Sequence, residues 1–260
     1  MLLPAINIRA QIVLSYSGAK NEALASSTAM SSDEWALWRN PAGLSQVEKT
    51  TASFGVRRQQ ATPAFARSVV LVQPATFGTF AAGTSAFGDD IYNEQAISFA
   101  FANHIGIAGI GIRADLMQLR IDGEAVRRTA GLTIGCIAKL SQRLSIGACA
   151  RNINLPEWAR GQPLPVVMNA GLSFRPSTDF LVVGEVEKNT DFNPTIKGAF
   201  EFAMRQKFFA RTGFNLFPNA AFGGIGLHTW NMTFDYAFRF GYLPGFSQQL
   251  SVSMHFNQTK

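Results

Sequence analysis

Charge is scarce in this sequence. Asp, Glu, Lys and Arg make up 15% of its 260 residues, where a soluble domain carries about 25%. A water-facing surface of this size would be short of polar cover. Long hydrophobic runs are missing too: no stretch approaches the ~18 uninterrupted apolar residues that a membrane helix needs. A chain that crosses a bilayer without helices must close into a barrel, whose signal is alternation. Basic residues outnumber acidic ones 23 to 17, but they are scattered, with Arg57-Arg58 and Arg127-Arg128 the densest points. With no basic stripe among aromatic platforms, nucleic acid is excluded as a partner. Cysteine is limited to Cys136 and Cys149, at a spacing unlike that of a metal site. The three histidines (His104, His228 and His255) lie far apart, and no Ser-His-Asp constellation forms around them. The expectation is a chain with no catalytic residues, no metal and no cofactor.

What is abundant is Phe, at 22, and Gly, at 23, and from Thr50 onward the period is two. In NMTFDYAFRF, Met232, Phe234, Tyr236, Phe238 and Phe240 share one face. Asn231, Thr233, Asp235, Ala237 and Arg239 share the other. Successive strand side chains point to opposite faces, so the segment separates apolar from polar. TIKGAFEFAMR sets Ile196, Phe200, Phe202 and Met204 against Lys197, Glu201 and Arg205; LSVSMHF sets Leu250, Val252, Met254 and Phe256 against Ser251, Ser253 and His255.

One such face also suits a soluble sandwich, and counting separates the two. Strands read near 50–58, 65–73, 76–88, 94–103, 105–119, 127–140 and 144–154. More follow near 166–174, 179–187, 195–205, 208–216, 219–228, 229–240 and 248–257. The total of fourteen is even, as bacterial outer-membrane barrels require. Short connections (QPA, NHI, SQR, RPSTD, RQK, HTW) alternate with longer ones, of which INLPEWARGQPLP is the longest. The prediction is an all-β, fourteen-stranded antiparallel transmembrane barrel over 49–257, with short turns periplasmic, longer loops extracellular and outer-membrane lipid around it.

If the apolar face meets lipid, the other lines the lumen. Parity puts Arg57, Arg113, Asp115, Lys139, Arg151, Glu185, Lys197, Glu201, Arg211, Asp235 and Arg239 there. Both signs are present, so mutual pairing is expected rather than an anion-selective pore or catalysis. Cys136 falls on the lipid parity and Cys149 on the lumen parity, which predicts two free thiols. Trp158 lies in the longest loop among three prolines. It is read either as an exposed contact for a partner protein or as folded back onto the rim in the aromatic girdle.

Residues 11–48 precede the barrel. Within SSDEWALWRNPAGL, Ser31 and Glu34 stand at capping-box spacing for a helix beginning at Ser32. Trp35 and Trp38 would share its face, and Pro41 would end it at Asn40. So short a helix is unstable alone and needs the barrel to pack against. Trp35, Trp38, Asn40, Pro41 and Gly43 are the residues that would fix this segment at the barrel mouth. Met1–Ala10 lacks a basic start: it is a signal remnant, the end of a longer signal, or a disordered arm.

Gly18-Ala19, Ala29, Asp33, Trp35-Ala36, Trp38 and Asn40-Pro41-Ala42-Gly43-Leu44 ahead of a first strand resemble the N-terminus of FadL-like barrels. FDYAF at 234–238 is similar to a segment of the PorV/PorQ branch. The resemblance implies that residues 11–48 form an N-terminal plug near the periplasmic opening, with Trp35, Trp38, Asn40, Pro41 and Gly43 as its plug and gating residues. FadL-type members pass hydrophobic molecules using a ligand pocket and a lateral opening. PorV and PorQ instead serve type IX secretion and surface attachment. The outward loops here rarely exceed about ten residues, too few for an external ligand cradle. The expectation therefore leans to a protein-binding, secretion-linked barrel with secretion or surface-attachment partners. The alternative is a transporter of small hydrophobic compounds.

Overall fold

A computed structural model describes residues 18–25, 27, 32–60, 64–241 and 245–256. The Met1–Ala10 expectation, the Ser31 cap and the Ala29 motif position lie outside these residues. Fourteen antiparallel strands close on themselves: β1 (Thr50–Gln59), β2 (Phe65–Ala75), β3 (Gly78–Gly88), β4 (Tyr92–Ile105) and β5 (Ala108–Ile121) lead. β6 (Arg127–Lys139), β7 (Leu144–Arg151), β8 (Val167–Ser177), β9 (Phe180–Asn189) and β10 (Thr195–Met204) follow. β11 (Phe208–Leu216), β12 (Ala220–His228), β13 (Met232–Gly241) and β14 (Phe246–Phe256) complete the wall, with β14 paired to β1 from Thr50↔Phe256 to Gln59↔Ser247. Each neighbour is the next strand in sequence, so no crossover is needed and no edge is left open.

Period two becomes a two-sided wall. Phe54, Ile97, Ile112, Ile134, Phe200 and Leu250 all stand open on the outside, 40–54% exposed. Lumen-parity neighbours such as Ser98, Arg113, Thr133 and Glu201 are buried. An apolar band outside a closed polar interior is the architecture of an outer-membrane barrel, here with its short turns on the periplasmic rim. Phe77, Phe80 and Phe101 cluster at that rim with ring centroids 5.0–6.4 Å apart, as an interfacial aromatic girdle does. The two rims differ less than their sequences suggest. Periplasmic connections run two to four residues and outer ones three to five, except for 152–166.

The described part of the segment before β1 lies inside the barrel. It forms a five-residue helix, α1 (Ala19–Ala23), a 3-10 turn over Glu34–Leu37 and a second 3-10 helix over Pro41–Gln46. This differs from the expected α-helix begun at Ser32. Asp33 is the cap, accepting from the Trp35 N–H at 3.1 Å. Pro41 does not merely end a helix: it opens the second one, at a first-turn position where its missing N–H costs nothing. Cys136 is exposed outside and Cys149 buried inside, both as free thiols.

The lipid face is testable at Ile134, near the middle of β6. Ile134→Arg should lower the unfolding free energy in lipid vesicles by ~2–4 kcal/mol, the cost of a cation at the bilayer midplane. A denaturant titration that leaves stability unchanged would place this face elsewhere.

Candidate functional site

The site is the contact between the N-terminal segment and the lumen wall, and glycines shape it. Gly109, Gly111 and Gly135 share the lumen parity of β5 and β6. A Cβ on Gly111 or Gly135 would overlap the Pro41–Ala42 backbone or the Asn40 side chain, and one on Gly109 would overlap Ser45. The bare backbone thus lets the second 3-10 helix lie against the wall. Asn40 exploits this closeness: its Nδ2 donates to the carbonyls of Cys136 and Ala148 at 3.2 and 3.3 Å. Its Oδ1 accepts from the Ala42 N–H at 3.1 Å. One side chain therefore caps a helix and clips it to two strands. Gly43 continues that helix, buried, its N–H donating to the Asn40 carbonyl at 2.9 Å.

The tryptophan turn is seated the same way. Gly55 of β1 makes room for Trp35, and Gly83 of β3 for Leu37 and Trp38. The two indoles lie 6.0 Å apart, tilted by 35°, and are almost wholly buried with Leu37, Leu44, Val70 and Val72. The Trp38 Nε1–H donates to Ser98 Oγ at 3.0 Å, and Ser98 donates to Asp115 at 2.6 Å. Asp115 also accepts from Arg113 Nε at 2.8 Å, and Arg113 donates onward to the Leu37 carbonyl (2.8 Å) and Thr133 Oγ1 (3.0 Å). Arg113 and Asp115 are each about 1% exposed. They are pins between wall and plug.

α1 sits across the lumen, its Ala23 against Gly224 and the following Ala25 against Gly213. Behind it Arg211 binds Glu201 at 2.6 Å and Asp235 at 2.5 Å. Lys197 meets Glu185 at 3.4 Å and Glu187 at 2.8 Å, and Asn169 donates to both carboxylates. The expected pairing is present at all these positions. Arg57 and Arg239 are half-buried; the Arg239 guanidinium lies 5.7 Å over the Phe222 ring. Lys139 faces inward at the periplasmic mouth and is exposed. Among the described residues no group of His, Cys, Asp or Glu could hold a metal ion.

Trp158 turns inward. It is half-buried with Leu164 against Ala96 and Met117 of the wall, its indole N–H buried without an acceptor among the described residues. The loop is braced there: Asn152 Nδ2 donates to the Pro165 carbonyl at 2.9 Å. Asn154 prolongs the β6 ladder through Leu132 N–H and Ala130 O. The strand ladders of the wall run without a break, apart from a register shift between Phe174 and Ser177 at the periplasmic end of β8.

Sequence reasoning missed the glycine seats, although GIG at 109–111 puts two glycines at lumen parity. It read Glu34 only as a capping-box partner, whereas its carboxylate accepts from Ser53 Oγ at 3.1 Å and from Ser253 Oγ, bridging β1 and β14. Burial pushes this carboxyl up to about 7, Asp33 adds to the rise, and Ser253 and Lys20 oppose it.

Two predictions follow from the seat. Gly135→Ala should expel Asn40 and expose the bond after Arg39 to trypsin, because Arg39 is only 3% exposed when seated. Asn40→Ala should cost about 1 kcal/mol as a lost cap, and Gly135→Ala added to it should do less harm than alone; additive losses would disprove the contact. Glu34 makes seating pH-dependent. Its seated value lies above the ordinary 4.5, so the seated state keeps a proton that the released segment has lost. Seating is strongest below pH ~4.5, weakens as pH rises to about 7 and is constant above. Acrylamide quenching of tryptophan fluorescence should increase over that interval, and Glu34→Gln should flatten it.

No protein-family model matches the chain, and no curated protein sequence matches it. Solved channels share its fold. The deltaS2 mutant of the TodX monoaromatic hydrocarbon channel aligns with a TM-score of 0.77 at 11% identity, over 95% of this chain and 100% of that one. The CymD monoaromatic hydrocarbon channel gives 0.73 at 12% identity, over 94% and 99%. The Pseudomonas putida toluene transporter TodX gives 0.72 at 10%, over 94% and 99%. These likenesses correct the PorV/PorQ expectation: the chain resembles FadL-type hydrocarbon channels in fold, and the secretion-linked branch is not supported. The physical reason is that the Asn-Pro-Ala-Gly-Leu motif seats a plug against a glycine-bearing wall. A packing device of this kind carries no mark of a branch.

Proposed function

We propose that this outer-membrane barrel passes small hydrophobic compounds, with the N-terminal segment as its gate. The observation that carries the reading is the pairing of a plugged fourteen-stranded fold with monoaromatic hydrocarbon channels aligned over nearly its whole length. The site is compatible with it chemically. At the outer mouth the half-exposed Trp158 lies on the buried Leu164, Met117 and Ala96, an apolar face for an arriving solute. Trp35, Trp38, Asn40, Pro41 and Gly43 close the lumen below. Because the wall ladder is continuous beside the plug, passage requires the segment to shift rather than a standing gap. Water-soluble solutes of similar size gain nothing from either surface.

Uptake of radiolabelled toluene by cells lacking other hydrocarbon channels tests the proposal. Expression of the chain should raise the initial rate several-fold without changing glucose uptake, and Trp35→Ala with Trp38→Ala should abolish that selectivity by leaving the lumen open. Toluene uptake equal to that of the empty strain would refute the transport reading.

A further inference from the structure

The periplasmic mouth holds a cavity of about 420 Å³ between the plug and the ends of β6–β9. Lys139, Arg143 and Arg175 line it at lumen parity on three consecutive strands or their turns. Lys20 lines it as well, but its charge is met by Asp33 at 3.2 Å. No carboxylate is among the lining residues. Glu201, which feels Arg175 at longer range, is ion-paired to Arg211.

The register sharpens this. Ser145 pairs with Ser173 across β7 and β8, and the Arg175 N–H donates to the Arg143 carbonyl at 2.8 Å, so the two arginines stand directly opposite each other. Like charges facing across a ladder are destabilising. Lys139 is opposite Ser145, one rung inward, which adds a third cation. The serine hydroxyls of Ser141, Ser145 and Ser173 line the same space, and Leu24, Leu181 and Val183 give it an apolar side. Arginine pairs bind planar oxyanions bidentately.

We propose that this cavity is a binding site for a small organic carboxylate, its charge held by Arg143, Arg175 and Lys139 and its apolar body against Leu24, Leu181 and Val183. The site goes beyond hydrocarbon passage and does not rest on it, because it faces the periplasm and recognises charge.

Calorimetric titration of the full chain in neutral detergent tests it with benzoate, benzyl alcohol and inorganic phosphate. Benzoate should bind about tenfold or more tightly than the uncharged alcohol and than phosphate. Arg143→Gln with Arg175→Gln should lose that margin while the barrel keeps its heat-resistant migration on gels. Alcohol binding as tight as benzoate, or an unchanged affinity in the double variant, would overturn the charge recognition. Phosphate binding as tight as benzoate would overturn the assignment to an organic anion. Toluene uptake is measured without any anion, so failure of this site leaves the transport reading untouched, and the reverse holds.

Discussion

A closed barrel of about eight strands is just wide enough for its own side chains to fill, and fourteen strands leave space that must be filled or flooded. Here the chain fills it with its own N-terminal segment, and most other features answer to that choice. The wall gives up side chains where the segment must approach: Gly109, Gly111 and Gly135 on one side, Gly213 and Gly224 on the other. Each glycine weakens its strand slightly. The loss is offset by burying Trp35, Trp38, Leu37 and Leu44 completely or nearly so.

The lumen charges belong to the same economy of space. A guanidinium taken out of water is costly unless its donors are met. Arg113 meets this by spreading across a carboxylate, a hydroxyl and the Leu37 carbonyl, so one residue satisfies the wall and a helix-end acceptor of the plug together. Its planar fork makes this possible; a lysine would offer a point charge without fixed directions. Arg211 performs the wall half of this task alone, between Glu201 and Asp235. The lumen charges thus pair within the wall, and through Arg113 they also hold the plug.

The wall was legible because lipid imposes one rule on every strand. Met232 to Phe240 alternate so cleanly that register and face follow from the residues, and the Cys136/Cys149 parity holds for the same reason. The plug was less legible. Its conformation is set by contacts with strands far away in sequence, so Asp33 caps the first turn and Pro41 begins a helix instead of closing one. Trp158 was ambiguous because a tryptophan on a proline-stiffened loop suits solvent, membrane or mouth. What decides is the Asn152 and Asn154 bracing, which no local pattern announces. The glycine seats were visible as letters but had no meaning until the segment they receive was in place.

The two halves of the plug meet different parts of the wall. The tryptophan turn and the second 3-10 helix are tied by directed bonds: Trp38 to Ser98, Leu37 to Arg113, Asn40 to two strand carbonyls. α1 is tied from the Ala19 N–H to Ser251 Oγ at 3.0 Å, and its alanines pack against Gly224 and Ala237. Five residues cannot sustain a helix by themselves in water, and small side chains bury little area. The Lys20–Asp33 pair is one link from this half to the other, and it is partly exposed, hence weak and salt-sensitive. The plug therefore bridges the lumen, α1 against β11–β14 and the second 3-10 helix against β3–β6, so that each half holds an opposite part of the wall.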